Sequence, residues 1–92
     1  MDMPLKAISN PDVVFREGVD KWAVLVNLDN AASIALNPTG VFIWKMIESK
    51  HSAEDIVSTI KRHYKNVPDN VTNDIFSLLH TLAEEGFIGY EV

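Results

Sequence analysis

The strongest constraint on the fold is a change of hydrophobic period in mid-chain, at Asn37 and Pro38. Before this point, apolar residues occur in short runs rich in β-branched and aromatic side chains, which predicts strands. After it, apolar residues recur at helical spacing. Asn37 suits a helix N-cap, and Pro38 suits the first helical position, where a backbone N–H would have no partner. We therefore predict a small sheet followed by helices.

Three strands are predicted before the switch, at residues 13–16, 22–28 and 32–36. A turn containing Gly18 joins the first two, and Asp29-Asn30 joins the next two, because both of these side chains bond nearby backbone and tolerate positive φ. Such short connections predict an antiparallel meander. Residues 1–12 lack a sustained period and are predicted to form an extended lead-in.

Three helices are predicted after the switch, at residues 38–49, at residues 53–65, and from Pro68 to Gly86. Ser52 suits the N-cap of the second helix, and Gly86 suits the left-handed position after the third. The first helix is apolar around most of its circumference, so it should be central and its Trp44 structural. The predicted fold class is α+β: a three-stranded antiparallel meander followed by a three-helix bundle, in one domain spanning residues 1–92.

The third helix has a wider apolar arc than one core contact needs. Its predicted core stripe includes Val71 and Leu79. Phe76 and Ala83 fall beside Leu79 but roughly 120 to 140° away from Val71. This surplus is a first indication of a binding surface, although plain core packing or a dimer contact accounts for it nearly as well.

Composition excludes several classes of function. The absence of cysteine removes disulfides and thiol chemistry, and it fits a reducing compartment. Thirteen acidic against eight basic residues give a net charge of -5, which repels a nucleic acid. No apolar run approaches the roughly 18 residues needed to cross a bilayer, and the start lacks a signal segment. We therefore predict a cytoplasmic protein without a membrane or nucleic-acid partner.

The polar residues form no pattern typical of an enzyme. His51, His63 and His80 share no ligand spacing, which argues against a metal site. The glycines form no phosphate-binding loop, and no serine lies in a nucleophile elbow. We therefore predict a protein with no catalytic residues, no metal and no cofactor.

A DNA-binding alternative arises from the basic cluster within residues 61–65, because the second and third helices could form a helix-turn-helix. The third helix, however, carries Asp69, Asp74 and Glu84 and no Lys or Arg, so it would repel phosphates. The basic cluster is explained by the negative C-terminal end of the second helix dipole. A winged-helix DNA-binding regulator is therefore the weaker alternative.

Residues 36–44, Leu-Asn-Pro-Thr-Gly-Val-Phe-Ile-Trp, resemble the signature L-N-x-T-G-x-x-I-W of the PqqD family at the strand-to-helix junction. Residues 52–65 resemble that family's second helix, and residues 71–88 resemble its third helix and its closing Gly-aliphatic segment. The resemblance covers about residues 13–88. Two departures are Pro38, where an acidic residue is common, and Ser49-Lys50-His51, where a glycine usually follows the first helix.

The resemblance implies a winged-helix-like fold that binds the leader of a ribosomally made precursor peptide. Such proteins present the precursor to a maturase, often a radical S-adenosylmethionine enzyme, and pyrroloquinoline quinone synthesis is one pathway in which relatives work. In the family, the leader adds as a strand to the third strand and lies against the third helix. The implied peptide-binding residues in this chain are Ala32, Ser33, Ile34, Ala35 and Leu36 on the strand, and Phe76, Leu79 and Ala83 on the helix.

The residues of the third strand favour an open edge independently, because small side chains let a peptide approach closely. Only one parity of a strand turns its N–H groups towards a guest. The sequence leaves open whether that parity includes Ser33 and Ala35 or Ile34. The same edge could recruit a second copy of the chain, so a homodimeric interaction module is a further alternative.

Overall fold

The computed structural model describes residues 7–63 and 71–90, which contain five strands and three helices. The elements in chain order are β1 (Ala7–Ser9), β2 (Val13–Glu17), β3 (Ala23–Asn27), β4 (Ser33–Leu36), α1 (Pro38–Glu48), α2 (Ala53–His63), α3 (Val71–Glu84) and β5 (Ile88–Tyr90). The predicted α+β class, with an antiparallel meander before three helices, is confirmed. The predicted parts of the second and third helices at residues 64–65 and 68–70 lie outside the described residues.

The three-stranded sheet is an antiparallel meander in the order β2-β3-β4. Val13 pairs with Asn27 at one end of the β2–β3 ladder, and Ala23 pairs with Leu36 at one end of the β3–β4 ladder. Leu25 is fully buried, which identifies the inner face of the central strand. Both β2 and β4 are edge strands of this sheet.

The turn between β2 and β3 has left-handed backbone at two positions. Asp20 and Lys21 have φ values of 56° and 67°, and the Trp22 N–H donates to the Val19 carbonyl at 3.1 Å. Two central residues with positive φ are typical of the hairpin turn whose twist matches that of the flanking strands. This turn carries Trp22 to the start of β3.

A second, two-stranded ribbon pairs β1 with β5, from Ala7 with Tyr90 to Ser9 with Ile88. The sequence did not predict a strand at either place. Each strand has only three residues, which is too few to display a period, and the two lie at opposite ends of the chain. Burial of Ala7 and Ile88 in the main core, at 3% and 5% exposed, explains why the ribbon forms.

The core surrounds α1, as its nearly all-round apolar surface predicts. Trp44 is 1% exposed, and Ile43 and Ile47 are buried beside it on the same helix. Helix α2 contributes Ile56 and Ile60 to the same cluster. The structural role predicted for Trp44 is consistent with this position.

The described helix ends follow the predicted capping, with one exception in residue type. The Asp55 N–H donates to the Ser52 hydroxyl at 3.1 Å, and Gly86 has a φ of 80° after α3. After α1, the left-handed position is occupied by Lys50 with a φ of 66°, and the His51 N–H donates to the Met46 carbonyl at 3.1 Å. Lysine therefore occupies the position where a glycine would adopt this backbone without strain.

Candidate functional site

An open cleft of about 470 Å³ lies between the end of β4, the start of α1 and the first half of α3. It lies beside the strand edge at which the sequence predicts peptide binding. Its floor and walls mix apolar side chains with a few polar groups. The lining residues from the sheet and α1 are Trp22, Ala35, Leu36, Asn37, Thr39, Gly40 and Ile43, and those from α3 are Asp74, Ile75 and Leu78.

The junction between β4 and α1 is tightly built. The Asn37 side-chain oxygen accepts a hydrogen bond from the Gly40 N–H at 2.8 Å, which caps α1. A Cβ at Gly40 would lie 3.2 Å from Leu36 Cδ2, so glycine gives the turn of the helix room to pack on the end of the strand. The motif residues therefore fix one end of the cleft.

The direction of the main-chain groups on β4 follows from the hydrogen bond between the Asn27 N–H and the Ala32 carbonyl, which measures 2.8 Å. Hydrogen-bonded and non-hydrogen-bonded pairs alternate along an antiparallel ladder. In the register of β3 and β4, the pair of Ile34 with Leu25 is consequently hydrogen-bonded. The N–H and C=O groups of Ser33 and Ala35 therefore point to the open edge, away from β3.

Bonds on the opposite side of β3 agree with this parity. The Leu28 N–H donates to the Asp12 carbonyl at 3.0 Å, and the Gly18 N–H donates to the Trp22 carbonyl at 2.7 Å. Even-numbered residues of β3 thus bond towards β2, which leaves the odd-numbered ones to bond towards β4. The question of parity that the sequence left open is resolved in favour of Ser33 and Ala35.

Helix α3 is held beside the sheet by a buried asparagine of β3. Asn27 is 1% exposed, and its side-chain amide donates to the Glu85 carbonyl at 3.1 Å. Its side-chain oxygen accepts from the Asp29 N–H at 2.9 Å. A buried polar side chain with both functions satisfied specifies one arrangement of the elements it joins. This contact fastens the C-terminal end of α3, the helix whose first half walls the cleft, to the central strand of the sheet.

The residues predicted to bind the peptide on the strand lie in β4 or directly before it. Ser33 and Ala35 are exposed, Ile34 is half-buried, and Leu36 is buried at the end of the strand. Ala32 is half-buried in the turn before β4. Of these five residues, Ala35 and Leu36 line the cleft.

The predicted helix residues lie elsewhere on α3. Leu79 is 2% exposed and belongs to the core, so its side chain does not form a surface wall. Phe76 and Ala83 are half-buried against the core and do not line the cleft. At 3.6 residues per turn, they lie roughly 140 to 160° around the helix from Leu78, which does. The flank of α3 beside β4 is therefore that of Asp74 and Leu78.

Eight residues that line the cleft were not predicted as site residues: Trp22, Asn37, Thr39, Gly40, Ile43, Asp74, Ile75 and Leu78. Ile75 and Leu78 lie on the same side of the third helix as its core stripe, and Ile75 is 2% exposed. The spacing of the helix shows two borders of one apolar arc, and nothing in the period indicates which border faces the strand edge. That choice depends on how α3 packs on the sheet.

The ionisable residues outside the cleft are further candidates for a known kind of site. Within residues 7–63 and 71–90, no three His, Cys, Asp or Glu side chains lie together as they would around a metal ion. The Asp29 carboxylate, by hydrogen bonding and repulsion, raises the pKa of Asp12, and burial raises that of Tyr90. Neither group lines the cleft.

The helices of the described residues are too short or too polar for any of them to span a membrane.

Two solved structures are similar to the chain. A structure of TbiB1 in complex with the TbiA(beta) leader peptide has a TM-score of 0.78 and 27% sequence identity, over 92% of this chain and 99% of that one. A lasso peptide synthetase B1 complexed with the leader peptide has a TM-score of 0.77 and 20% identity, over 91% and 98% of the two chains. The second likeness is one of fold alone.

The family comparison agrees with the motif at the strand-to-helix junction. None of the curated proteins matches the chain. A model of the family described as coenzyme PQQ synthesis protein D (PqqD) matches residues 23–88, which include β3, β4, all three helices and every lining residue of the cleft except Trp22. Because that match covers most of the length of the chain, the chain belongs to the PqqD family.

Proposed function

We propose that this protein binds the leader segment of a ribosomally made precursor peptide as an added strand on β4. The observation that carries the proposal is the open edge of β4 beside the cleft, where Ser33 and Ala35 turn their main-chain groups outward. Membership of the PqqD family supports it, as does the likeness to TbiB1, which was solved with a leader peptide.

Strand addition alone would not hold a peptide. Ser33 and Ala35 each offer one N–H and one C=O, so a guest strand gains at most four main-chain hydrogen bonds. At roughly 0.5 to 1.5 kcal/mol net each, these bonds contribute about 2 to 6 kcal/mol. Association itself costs roughly 4 to 15 kcal/mol in lost translational and rotational freedom. The leader must therefore also bury side chains, and the cleft beside Leu36 and Leu78 offers the apolar surface for this.

The proposed role is that of an adaptor in the cytoplasm, where ribosomes make the precursor. The bound leader would hold the precursor near a modifying enzyme, with a radical S-adenosylmethionine maturase as the expected type. The adaptor would supply binding energy and orientation rather than a catalytic group. The DNA-binding alternative gains no support, because α3 bears Asp74 and Glu84 and no basic residue in its last turn.

Proline substitution tests the proposal at single backbone groups. Ala35→Pro removes an N–H that points to solvent, so the protein should still fold. A guest strand would lose one hydrogen bond and would clash with the proline ring. We expect leader binding to weaken about tenfold or more. In Ile34→Pro, the missing N–H bonded to β3, so the sheet itself should be destabilised by roughly 3 kcal/mol or more.

Glu17→Pro is the matched control, since it removes an outward N–H from the opposite edge of the same sheet. The ligand is a synthetic peptide with the leader sequence of the precursor encoded beside this gene. Binding is measured by isothermal titration calorimetry, and folding by thermal unfolding. A folded Ala35→Pro variant that binds like the parent and like Glu17→Pro would refute strand addition at β4.

A further inference from the structure

We infer that the cleft selects a leader with a Lys or Arg side chain beside its added strand, and that Asp74 and Trp22 are the residues that determine this specificity. The inference rests on the proposed function and adds to it a chemical class of ligand. It starts from the charge of the lining: Asp74 is the one ionisable side chain among the described residues that line the cleft.

The Asp74 carboxylate is available to a ligand. The residue is exposed on the flank of α3 that faces β4. Within residues 7–63 and 71–90, this carboxylate has no hydrogen-bond or ion-pair partner. The charged contacts lie elsewhere, between Lys45 and Glu17 and between the His80 ring and Glu84. A carboxylate at the mouth of a partly apolar cleft gains most from a cationic partner that brings its own hydrogen-bond donors.

Trp22 gives a second and independent preference of the same sign. Trp22 is 49% exposed and lines the same cleft. The face of an indole ring attracts a cation, and Trp does so more strongly than the other aromatic residues. An aromatic face and a carboxylate in one cleft therefore both favour a positive charge, whereas an acidic guest side chain would be repelled by Asp74.

The apolar part of the cleft decides which kind of cation fits. Ile75 and Leu78 line it on α3, and Leu36 and Ile43 line it on the other side. Lys and Arg pack a methylene stem on apolar surface while the charged head stays at the polar rim. The stem would lie along these residues, with its head at Asp74 and Trp22. The net charge of -5 adds attraction for a basic peptide during encounter.

The test selects short random linear peptides from a display library on the parent, on Asp74→Asn and on Asp74→Lys. On the parent, we expect one position of the selected peptides to be enriched in Lys or Arg. This enrichment should disappear on Asp74→Asn and turn into enrichment in Asp or Glu on Asp74→Lys. Enrichment in Lys or Arg that is the same on all three proteins, or absent from the parent, would overturn the inference.

Affinity measurements with one selected peptide make the test quantitative. Replacing its basic residue with Gln should weaken binding to the parent about fivefold. The same replacement should have a much smaller effect on binding to Asp74→Asn, because that variant already lacks the ion pair between Asp74 and the basic residue. Trp22→Leu keeps an apolar residue in the cleft and should also reduce the preference for the basic peptide. High salt should do the same, since the screening length falls to about 3 Å at 1 M.

The design separates this inference from the proposed function. Peptides that require the open edge should lose affinity for Ala35→Pro. If they do so but show no basic position, strand addition stands and charge selection by Asp74 is refuted. If the selected peptides bind Ala35→Pro as well as the parent, the proposed function fails, and the inference fails with it.

Discussion

The two edges of the three-stranded sheet present different surroundings to another strand. On β2, the outward N–H of Val13 already donates to the Asn10 carbonyl at 3.1 Å. Further along the same strand, Lys45 of α1 lies 3.5 Å from the Glu17 carboxylate and 6.0 Å from the centre of the Phe15 ring. A lysine beside an edge discourages pairing with a further strand. The β2 edge is thus partly occupied and charged.

The β4 edge lacks such protection among the described residues. Its outward groups belong to Ser33 and Ala35, whose side chains are small, and the cleft opens at the end of the strand. An exposed edge is therefore not by itself a binding site. The β4 edge differs because α3 lies beside it, and the cleft between them can bind a side chain of a guest strand.

The largest expected effect comes from the helix that supports both edges. Trp44→Ala removes the largest buried side chain of α1, and we expect a loss of about 3 to 5 kcal/mol in the free energy of unfolding. Both edges should be lost together, because α1 begins at the end of β4 and carries Lys45 to β2. Chemical denaturation of the parent and the variant measures the change.

Trp44→Phe provides the control for the indole N–H. Within residues 7–63 and 71–90, the buried Trp44 Nε1 has no hydrogen-bond partner. Phe therefore loses volume but no hydrogen bond, and its cost should be clearly smaller than that of Ala. A Trp44→Ala variant as stable as the parent would mean that α1 does not support the sheet in this way.

The second effect comes from the attachment of α3, the helix that walls the cleft beside β4. Gly86 has a φ of 80°, and a Cβ there would lie 2.8 Å from the Asn27 side-chain nitrogen. Gly86→Ala combines left-handed strain with disruption of the bond from Asn27 to Glu85, so we expect a loss of about 2 to 3 kcal/mol. Leader affinity should fall in the fraction that remains folded, because the wall of the cleft moves.

Gly89→Ala is the matched control, since a Cβ at Gly89 meets nothing within 4 Å. It should change stability by no more than about 0.5 kcal/mol. Thermal unfolding and peptide titration of the two variants, side by side, check both parts. Equal behaviour of the two glycine variants would show that the contact between Asn27 and the end of α3 does not hold the cleft.

Much of this difference between the edges lies beyond what the sequence can specify. The period of two and the cap at Asn37 predict the meander and α1, because both are local patterns. The direction of the main-chain groups on β4 depends on the pairing of Asn27 with Ala32, which is a matter of register. The ribbon of β1 and β5 depends on contact between distant segments, so no local period predicts it.

The sequence specifies the candidate cleft only in part, because the cleft depends on how α3 packs on the sheet. The edge strand and the choice of α3 follow from the resemblance to the family, but the flank of α3 beside the cleft does not. Phe76 and Leu78 border the same apolar arc, and only the packing of the helix places Leu78 at the cleft. Asp74 falls in the first turn of α3, where a helix dipole alone explains an acidic residue, so its position gave no functional signal.

The third effect tests the protection of β2. Lys45→Leu removes an ion pair between exposed side chains, so stability should change by no more than about 1 kcal/mol. Self-association should increase, because an apolar residue now lies beside an edge strand. Lys61→Leu, on the exposed face of α2, is the control for added surface hydrophobicity. Light scattering that shows the same mass for both variants would rule out a protective role for Lys45.

The smallest effect concerns Asp12, before β2, and Asp29, in the turn that leads to β4. The pKa of Asp12 is raised above 3.8, first by a side-chain hydrogen bond with Asp29 and then by repulsion between the carboxylates. The folded state therefore holds this proton more tightly than the unfolded state does. The resulting stability is fully present below pH 3.8 and is lost as the pH rises through the raised pKa. Asp29→Asn removes the repulsion and keeps a side-chain oxygen that accepts from Asn10. Its melting temperature should therefore rise slightly relative to that of the parent as the pH rises through this window. Melting temperatures measured from pH 3 to pH 7 test this, and a constant difference between the two proteins would show that the two carboxylates do not interact across the ends of these strands.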